Sequence, residues 1–106
     1  MKPVRLSSVA ALVLHAVSNG FEYGFDIMDA TGLPSGTVYP ALRRLEQAGF
    51  VKASWEAHAV AQKELRPPRR YYEISAAGKE SLRAAIQRYP LLRRAFEGAR
   101  RALVRV

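Results

Sequence analysis

At 106 residues and 49% hydrophobic content, the chain is long enough for one domain with a modest core and too apolar to be disordered. It has no cysteine, which excludes a disulfide framework and thiolate chemistry and is compatible with a reducing cytoplasm. The net charge of +8 is uneven. Residues 1–42 sum to −1 and residues 43–106 to +9, an asymmetry that points to a polyanion, nucleic acid first and an anionic membrane surface second.

No apolar run approaches the ~18 residues of a transmembrane helix. The start, MKPVRLSSVAALVLHAV, puts Lys2 and Arg5 ahead of a short apolar stretch, as a signal peptide does, but no small-x-small cleavage site follows. The stretch reads instead as a helix over roughly Arg5 to Ser18. Leu6, Val9, Ala10, Val13 and Val17 form its stripe, and Leu12, Leu14 and Ala16 widen it beyond one face. Such a helix is buried on more than one side and can meet a partner subunit. His15 within it is a packing or edge residue rather than a ligand. A second helix runs from about Tyr23 to Thr31, with Ile27, Met28 and Ala30 inward and Gly32 as its stop.

Leu33-Pro34 makes the short connection of a helix-turn-helix into SGTVYPALRRLEQAGFV, Ser35–Val51. Val38, Leu42 and Leu45, with Ala41 beside them, give one apolar face. Gly36, Pro40, Arg43 and Gln47 lie opposite, with Thr37 and Arg44 on one flank and Tyr39 on the other. Small and hydroxyl residues followed by arginines suit a DNA major groove, where the arginines reach guanine edges or phosphates. An ordinary amphipathic surface helix has the same pattern. Pro40 lies too deep for a regular helix starting at Ser35. Either the first turn is irregular, or the helix starts late with Thr37 as its N-cap. Gly49 stands where a left-handed C-cap is expected.

Phe50 to Ala57 alternates as a strand, with Val51, Ala53, Trp55 and Ala57 on one side. His58 to Pro68 has no periodicity and carries Lys63 and Arg66. Arg69 to Ile74 returns as a second strand with Tyr72 and Ile74 on one face, so the pair forms a basic wing. Ser75 caps a further helix through about Tyr89, with Leu82, Ile86 and Tyr89 in line. After Pro90, Leu91 to Val106 carries Leu92, Ala95, Phe96, Ala99, Ala102 and Leu103 on one stripe and five arginines mostly off it. With no mate left for that stripe in a 75-residue head, a second copy of the chain is its expected partner; a basic helix on a membrane surface is the competing reading. The fold class expected is mainly α with a small β-hairpin wing. Residues 1–75 form a winged helix-turn-helix head and 76–106 a helical dimerisation region through Leu82, Ile86, Tyr89, Leu92, Phe96, Ala99 and Leu103.

Three pieces resemble the phenolic-acid-decarboxylase-regulator (PadR) family of winged-helix transcription factors: GFEYGFDI at Gly20–Ile27, SGTVYPALRRLEQAGFVKASWE at Ser35–Glu56, and RPPRRYYEISAAGKESL at Arg66–Leu82. The resemblance implies a homodimer on double-stranded operator DNA that usually represses and often releases DNA when a small molecule binds. By position it assigns Ser35, Gly36, Thr37, Tyr39 and Pro40 to the DNA-facing stretch and Arg69 and Arg70 to the wing base. Tyr71 and Tyr72 match its paired tyrosines. Arg43, Arg44, Lys63 and Arg66 complete the expected DNA-binding set. The chain departs from the pattern at Tyr23, where the family has histidine, in a longer alanine-rich wing, and at Pro90. The segment after Pro90 has Phe96 but no tryptophan, so no residues there support an effector site.

An enzyme is not indicated. His15 and His58 are the only histidines, no metal-ligand spacing occurs, and Gly78-Lys79-Glu80 lacks the rest of a phosphate loop, so neither metal nor cofactor is expected. The function expected is sequence-specific transcriptional regulation, a homodimeric repressor on a palindromic operator. The alternative of another class is an architectural or protein-interaction module that does not choose a sequence.

Overall fold

The computed structural model describes residues 5–96. In chain order these form α1 (Ser8–Ser18), α2 (Gly24–Thr31), α3 (Ser35–Gln47), β1 (Val51–Trp55), α4 (His58–Lys63), β2 (Arg70–Ile74) and α5 (Ala76–Arg88), followed by a 3₁₀ turn at Pro90–Arg94. This is the mainly α architecture with a small hairpin wing expected from the pattern.

α1 is the hub. Ala11, Val13, Leu14, Ala16 and Val17 are all buried, and α2, α3, α5, β2 and the 3₁₀ turn pack around them. The helix begins later than its apolar stripe because Ser7 takes the N-cap, its hydroxyl accepting the Ala10 N–H at 3.1 Å. α2 ends on Gly32 in the left-handed conformation (φ 73°). There the Thr31 hydroxyl donates to the Ile27 carbonyl at 2.7 Å and accepts the Leu33 N–H at 3.2 Å, fixing the turn into α3.

The first turn of α3 closes on Pro34, whose carbonyl accepts the N–H groups of Thr37 and Val38, each at 3.0 Å. Pro34 is therefore the N-cap and Thr37 is not, so Pro40 lies inside the helix. Its ring removes a bond to the carbonyl of Gly36, an exposed residue at which water can serve. Val38, Ala41, Leu42 and Leu45 are buried, as the periodicity requires. At the far end the Gly49 N–H donates to Glu46 and the Phe50 N–H to Leu45, with Gly49 at φ 78°, a Schellman ending that aims the chain into β1.

β1 and β2 pair antiparallel, Val51 opposite Ile74, Ala53 opposite Tyr72 and Trp55 opposite Arg70. A bridge between Tyr23 and Tyr71, and a 2.7 Å bond from the Tyr72 N–H to the Glu22 carbonyl, fasten the start of α2 to β2. Val51 and Tyr72 are buried, but Trp55 is 66% exposed because the strand outruns the core. The stretch expected to be an irregular wing loop holds α4 instead. Three alanines with Gln62 and Lys63 favour a helix over this stretch, and it puts one residue, Ala61, in a buried position, too little to leave a periodic trace. α4 ends in its own Schellman arrangement, Arg66 N–H to Ala61 carbonyl, with Leu65 in the left-handed position at φ 56°.

Ser75 caps α5, accepting from Gly78 and donating to the Gly49 carbonyl at 2.6 Å, which ties the helix start to the α3–β1 turn. After Pro90 the chain turns back, and the 3₁₀ turn packs on α5 and α1. Leu82, Leu92 and Phe96 are buried in their own core, and the Phe96 ring lies 5.2 Å from His15 and 5.6 Å from Phe21. The Tyr89 hydroxyl donates to the Leu6 carbonyl at 3.3 Å, and Ile86 is half-buried against the same core. The premise that this stripe has no mate within its own chain is thus overturned for Leu92 and Phe96. Ala99, Ala102 and Leu103 lie outside the described residues.

Candidate nucleic-acid interface

One face of the molecule combines the outer arc of α3, the first turn of α2 and the wing. On α3, Ser35, Gly36, Arg43 and Arg44 are exposed, and Thr37 and Pro40 are half-buried. Tyr39 is 45% exposed and lays its ring across Gly24, so closely that a Cβ on Gly24 would run into the ring. The helix-edge packing of Tyr39, with its hydroxyl end against Gly24, is thus permitted by the missing side chain there.

The basic residues of the wing divide by what they touch. Arg66 is committed to Glu56: its guanidinium donates to both carboxylate oxygens, at 2.6 and 2.9 Å. Glu56 also accepts the Arg69 N–H at 3.3 Å and the Tyr71 hydroxyl at 3.1 Å. Arg66, followed by those two donors, holds the Glu56 carboxyl down at about 2 against an opposing push from desolvation, and Glu56 in turn raises the Arg66 guanidinium. Arg66, expected among the DNA-binding residues, is thus held in the wing by Glu56.

Arg70 spans from the wing to α3, donating to Glu46 at 3.2 Å and lying 5.2 Å from the Trp55 ring centre. Arg69 sits 4.1 Å above the Tyr23 ring and forms no ion pair among the described residues. Burial, then the neighbouring Asp26 carboxylate, pushes the Tyr23 phenol above its usual range. Lys63 is exposed on α4.

Tyr39, Arg69 and Arg70 thus converge on a hollow of about 530 Å³. Its other walls include Tyr23, Phe25, Trp55 and the Pro67-Pro68 pair. Arg43, Arg44 and Lys63 do not line it. Tyr23, Phe25, Trp55 and the two carboxylates Glu46 and Glu56 were not anticipated from sequence. Trp55 alternates with Val51 and Ala53 and so reads as inward, and nothing in the local pattern shows that the strand leaves the core before reaching it.

A helix-turn-helix followed directly by a two-stranded wing, with cations on the shared face, defines a winged helix-turn-helix DNA-binding domain. The chain belongs to the PadR-like family of transcriptional regulators, whose family model matches residues 13–84. Members of that family are regulators rather than enzymes. No match to a curated protein was found. A PadR family transcription regulator from Clostridium difficile is similar in structure, with TM-score 0.68 and 21% identity over 87% of this chain and 97% of that one. A PadR-like transcriptional regulator from Bacillus cereus has TM-score 0.61 and 22% identity over 86% and 89%. BpsR of Bordetella bronchiseptica, whose DNA binding is regulated by 6-hydroxynicotinic acid, has TM-score 0.66 and 16% identity over 98% and 77%. At these identities the likeness is one of fold.

Proposed function

We propose that the protein is a homodimeric repressor that binds a palindromic operator in the cytoplasm, with α3 in the major groove and the wing on the adjacent backbone. The observation that carries this reading is the convergence of the α3 arc and Arg69 on one face. Ser35, Gly36, Thr37, Tyr39 and Pro40 approach the bases, Thr37 and Tyr39 choosing among them. Arg43, Arg44, Lys63 and Arg69 meet phosphates or guanine edges. Arg66 and Arg70 act indirectly, by holding the wing against Glu56 and Glu46.

Residues 76–106 supply the dimer region in this reading, but through a face other than the buried stripe. Val9 and Leu12 of α1 and Leu91 and Ala95 after Pro90 line an apolar groove of about 540 Å³, and Leu91 is 92% exposed. Exposed apolar surface of this kind is normally covered in a soluble protein. Two heads related by a dyad would meet successive major grooves ~34 Å apart. No helix among the described residues is long and apolar enough to cross a membrane. Release by a small effector is a further expectation for this chain; DNA binding by BpsR is regulated by 6-hydroxynicotinic acid.

Footprinting over the DNA upstream of the protein's own gene tests the reading. Two protected, dyad-related half-sites one helical turn apart are expected. Protection of a single unrepeated site, or none, would contradict it.

A further inference from the structure

The hollow between α2, α3 and the wing is more aromatic than contact with a sugar-phosphate backbone requires. Phe25 is 69% exposed and Trp55 66% exposed, and with Tyr23 and Tyr39 they wall a space of about 530 Å³. That volume is in the range of small-molecule sites. Large aromatic rings left in water at the mouth of a concave site are the usual means of stacking a flat ligand.

The rings come paired with cations. Arg69 lies 4.1 Å over Tyr23 and Arg70 lies 5.2 Å from Trp55, so each guanidinium presents a flat cationic surface beside a ring. Planar bases stack on aromatic rings and guanidinium planes alike, while the same arginines hold phosphate. The cations differ in availability: Arg70 is shared with Glu46, whereas Arg69 has no acidic partner among the described residues. Arg66, the third cation on the wall, is already paired through two bonds to Glu56. Among the described residues no carboxylate lines the hollow itself, Glu46 and Glu56 standing behind Arg70 and Arg66. Its chemistry is therefore a stacking box with one free guanidinium at the rim.

We propose that this hollow is a nucleotide site: it takes a free nucleoside phosphate, the base stacked against Trp55 and Phe25 and the phosphate on Arg69. Because Tyr39 and Arg69 belong to both surfaces, the bound nucleotide excludes operator DNA. That exclusion rests on the DNA-binding reading above; nucleotide binding itself does not.

Trp55 is the single tryptophan of the chain, so its emission reports the hollow directly. The probe is adenosine 5′-monophosphate, titrated against the full-length protein, with adenosine and inorganic phosphate titrated separately. Saturable quenching by the monophosphate is expected, with adenosine and phosphate each at least about tenfold weaker, the size of one lost stacking or charged contact. R69A should bring the monophosphate down to the affinity of adenosine and leave adenosine unchanged, which a fold defect would not do. A labelled operator duplex followed by anisotropy should be released by the monophosphate over the same concentration range.

Unchanged Trp55 emission up to millimolar monophosphate, or equal quenching by phosphate alone, would overturn the site. Quenching by operator DNA without any response to the free nucleotide would also overturn it, while leaving the DNA-binding reading intact. Quenching by the nucleotide with no operator preference in anisotropy would uphold the site and sink the DNA-binding reading instead.

Discussion

Glu56 and Arg66, on either side of α4 in the wing, face each other through two hydrogen bonds of 2.6 and 2.9 Å, and the Glu56 side chain is almost wholly enclosed. The pair closes the wing over α4, and the Arg69 N–H and Tyr71 hydroxyl on the same carboxylate carry that order into β2. Arg69, whose guanidinium lies over Tyr23, is held through its backbone N–H by the same carboxylate.

Glu56→Gln should therefore loosen the wing without unfolding the head. Faster amide exchange at residues 56 and 69–72 and a severalfold weaker hold on DNA are expected. Because the folded carboxyl is lowered from 4.5 to about 2, the pair's contribution is complete above pH 4.5 and is lost as the pH falls from there through 2. Wing exchange rates that rise already between pH 8 and 6 would show that another group controls the wing.

Gly24→Ala probes the seat of Tyr39. The added methyl meets the Tyr39 ring, the far end of a flexible side chain, so the ring should swing out while the fold stays intact. Thermal stability should hold, since alanine favours a helix over glycine by ~1 kcal/mol. Operator affinity should fall by roughly 1–3 kcal/mol if Tyr39 contacts a base. Tyr39→Ala added to Gly24→Ala should cost little more, as residues acting through one contact are not additive. Full additivity in that double-mutant cycle would mean Gly24 and Tyr39 act apart.

Leu65 holds a left-handed backbone with its side chain 93% exposed, so it carries strain and contributes little packing. Leu65→Gly relieves ~1–2 kcal/mol of that strain against ~0.5–1 kcal/mol of added chain entropy. Denaturant unfolding should show a stability equal to or slightly above that of the parent. A loss beyond about 1 kcal/mol would mean that Leu65 packs against something the exposed tip conceals.

Leu91→Glu tests the assembly face. A residue this exposed in the single chain should tolerate a charge without loss of fold. Light scattering should then report a monomer where the parent is a dimer at micromolar concentration. A variant that remains dimeric would place the interface elsewhere.

Much of the fold was legible because it is carried by local periodicity. The stripes of α1 and α3, the glycine stops at Gly32 and Gly49, the Ser75 cap and the alternation at Val51 and Ala53 each follow from neighbours a few residues apart. What was not legible depends on residues distant in sequence. Phe96 belongs to the stripe after Pro90, yet its ring meets His15 and Phe21. A stripe shows that a face is buried, and says nothing about which chain buries it. Likewise Arg66 and Arg69 look alike as wing cations, and only Glu56, across the wing, separates a strut from a free charge.

The central claim is that the face built from α3 and Arg69 selects a DNA sequence. Its most direct test is the affinity of the full-length protein for its own upstream DNA and for a scrambled duplex, measured across salt concentrations for the parent and for R69A. The account predicts a preference of ~10³ or more for the upstream DNA. It also predicts a slope of log affinity against log salt that falls by ~1 per protomer in R69A. Equal affinity and the same steep salt slope for both duplexes would contradict it and leave a winged helix that binds DNA without choosing among sequences.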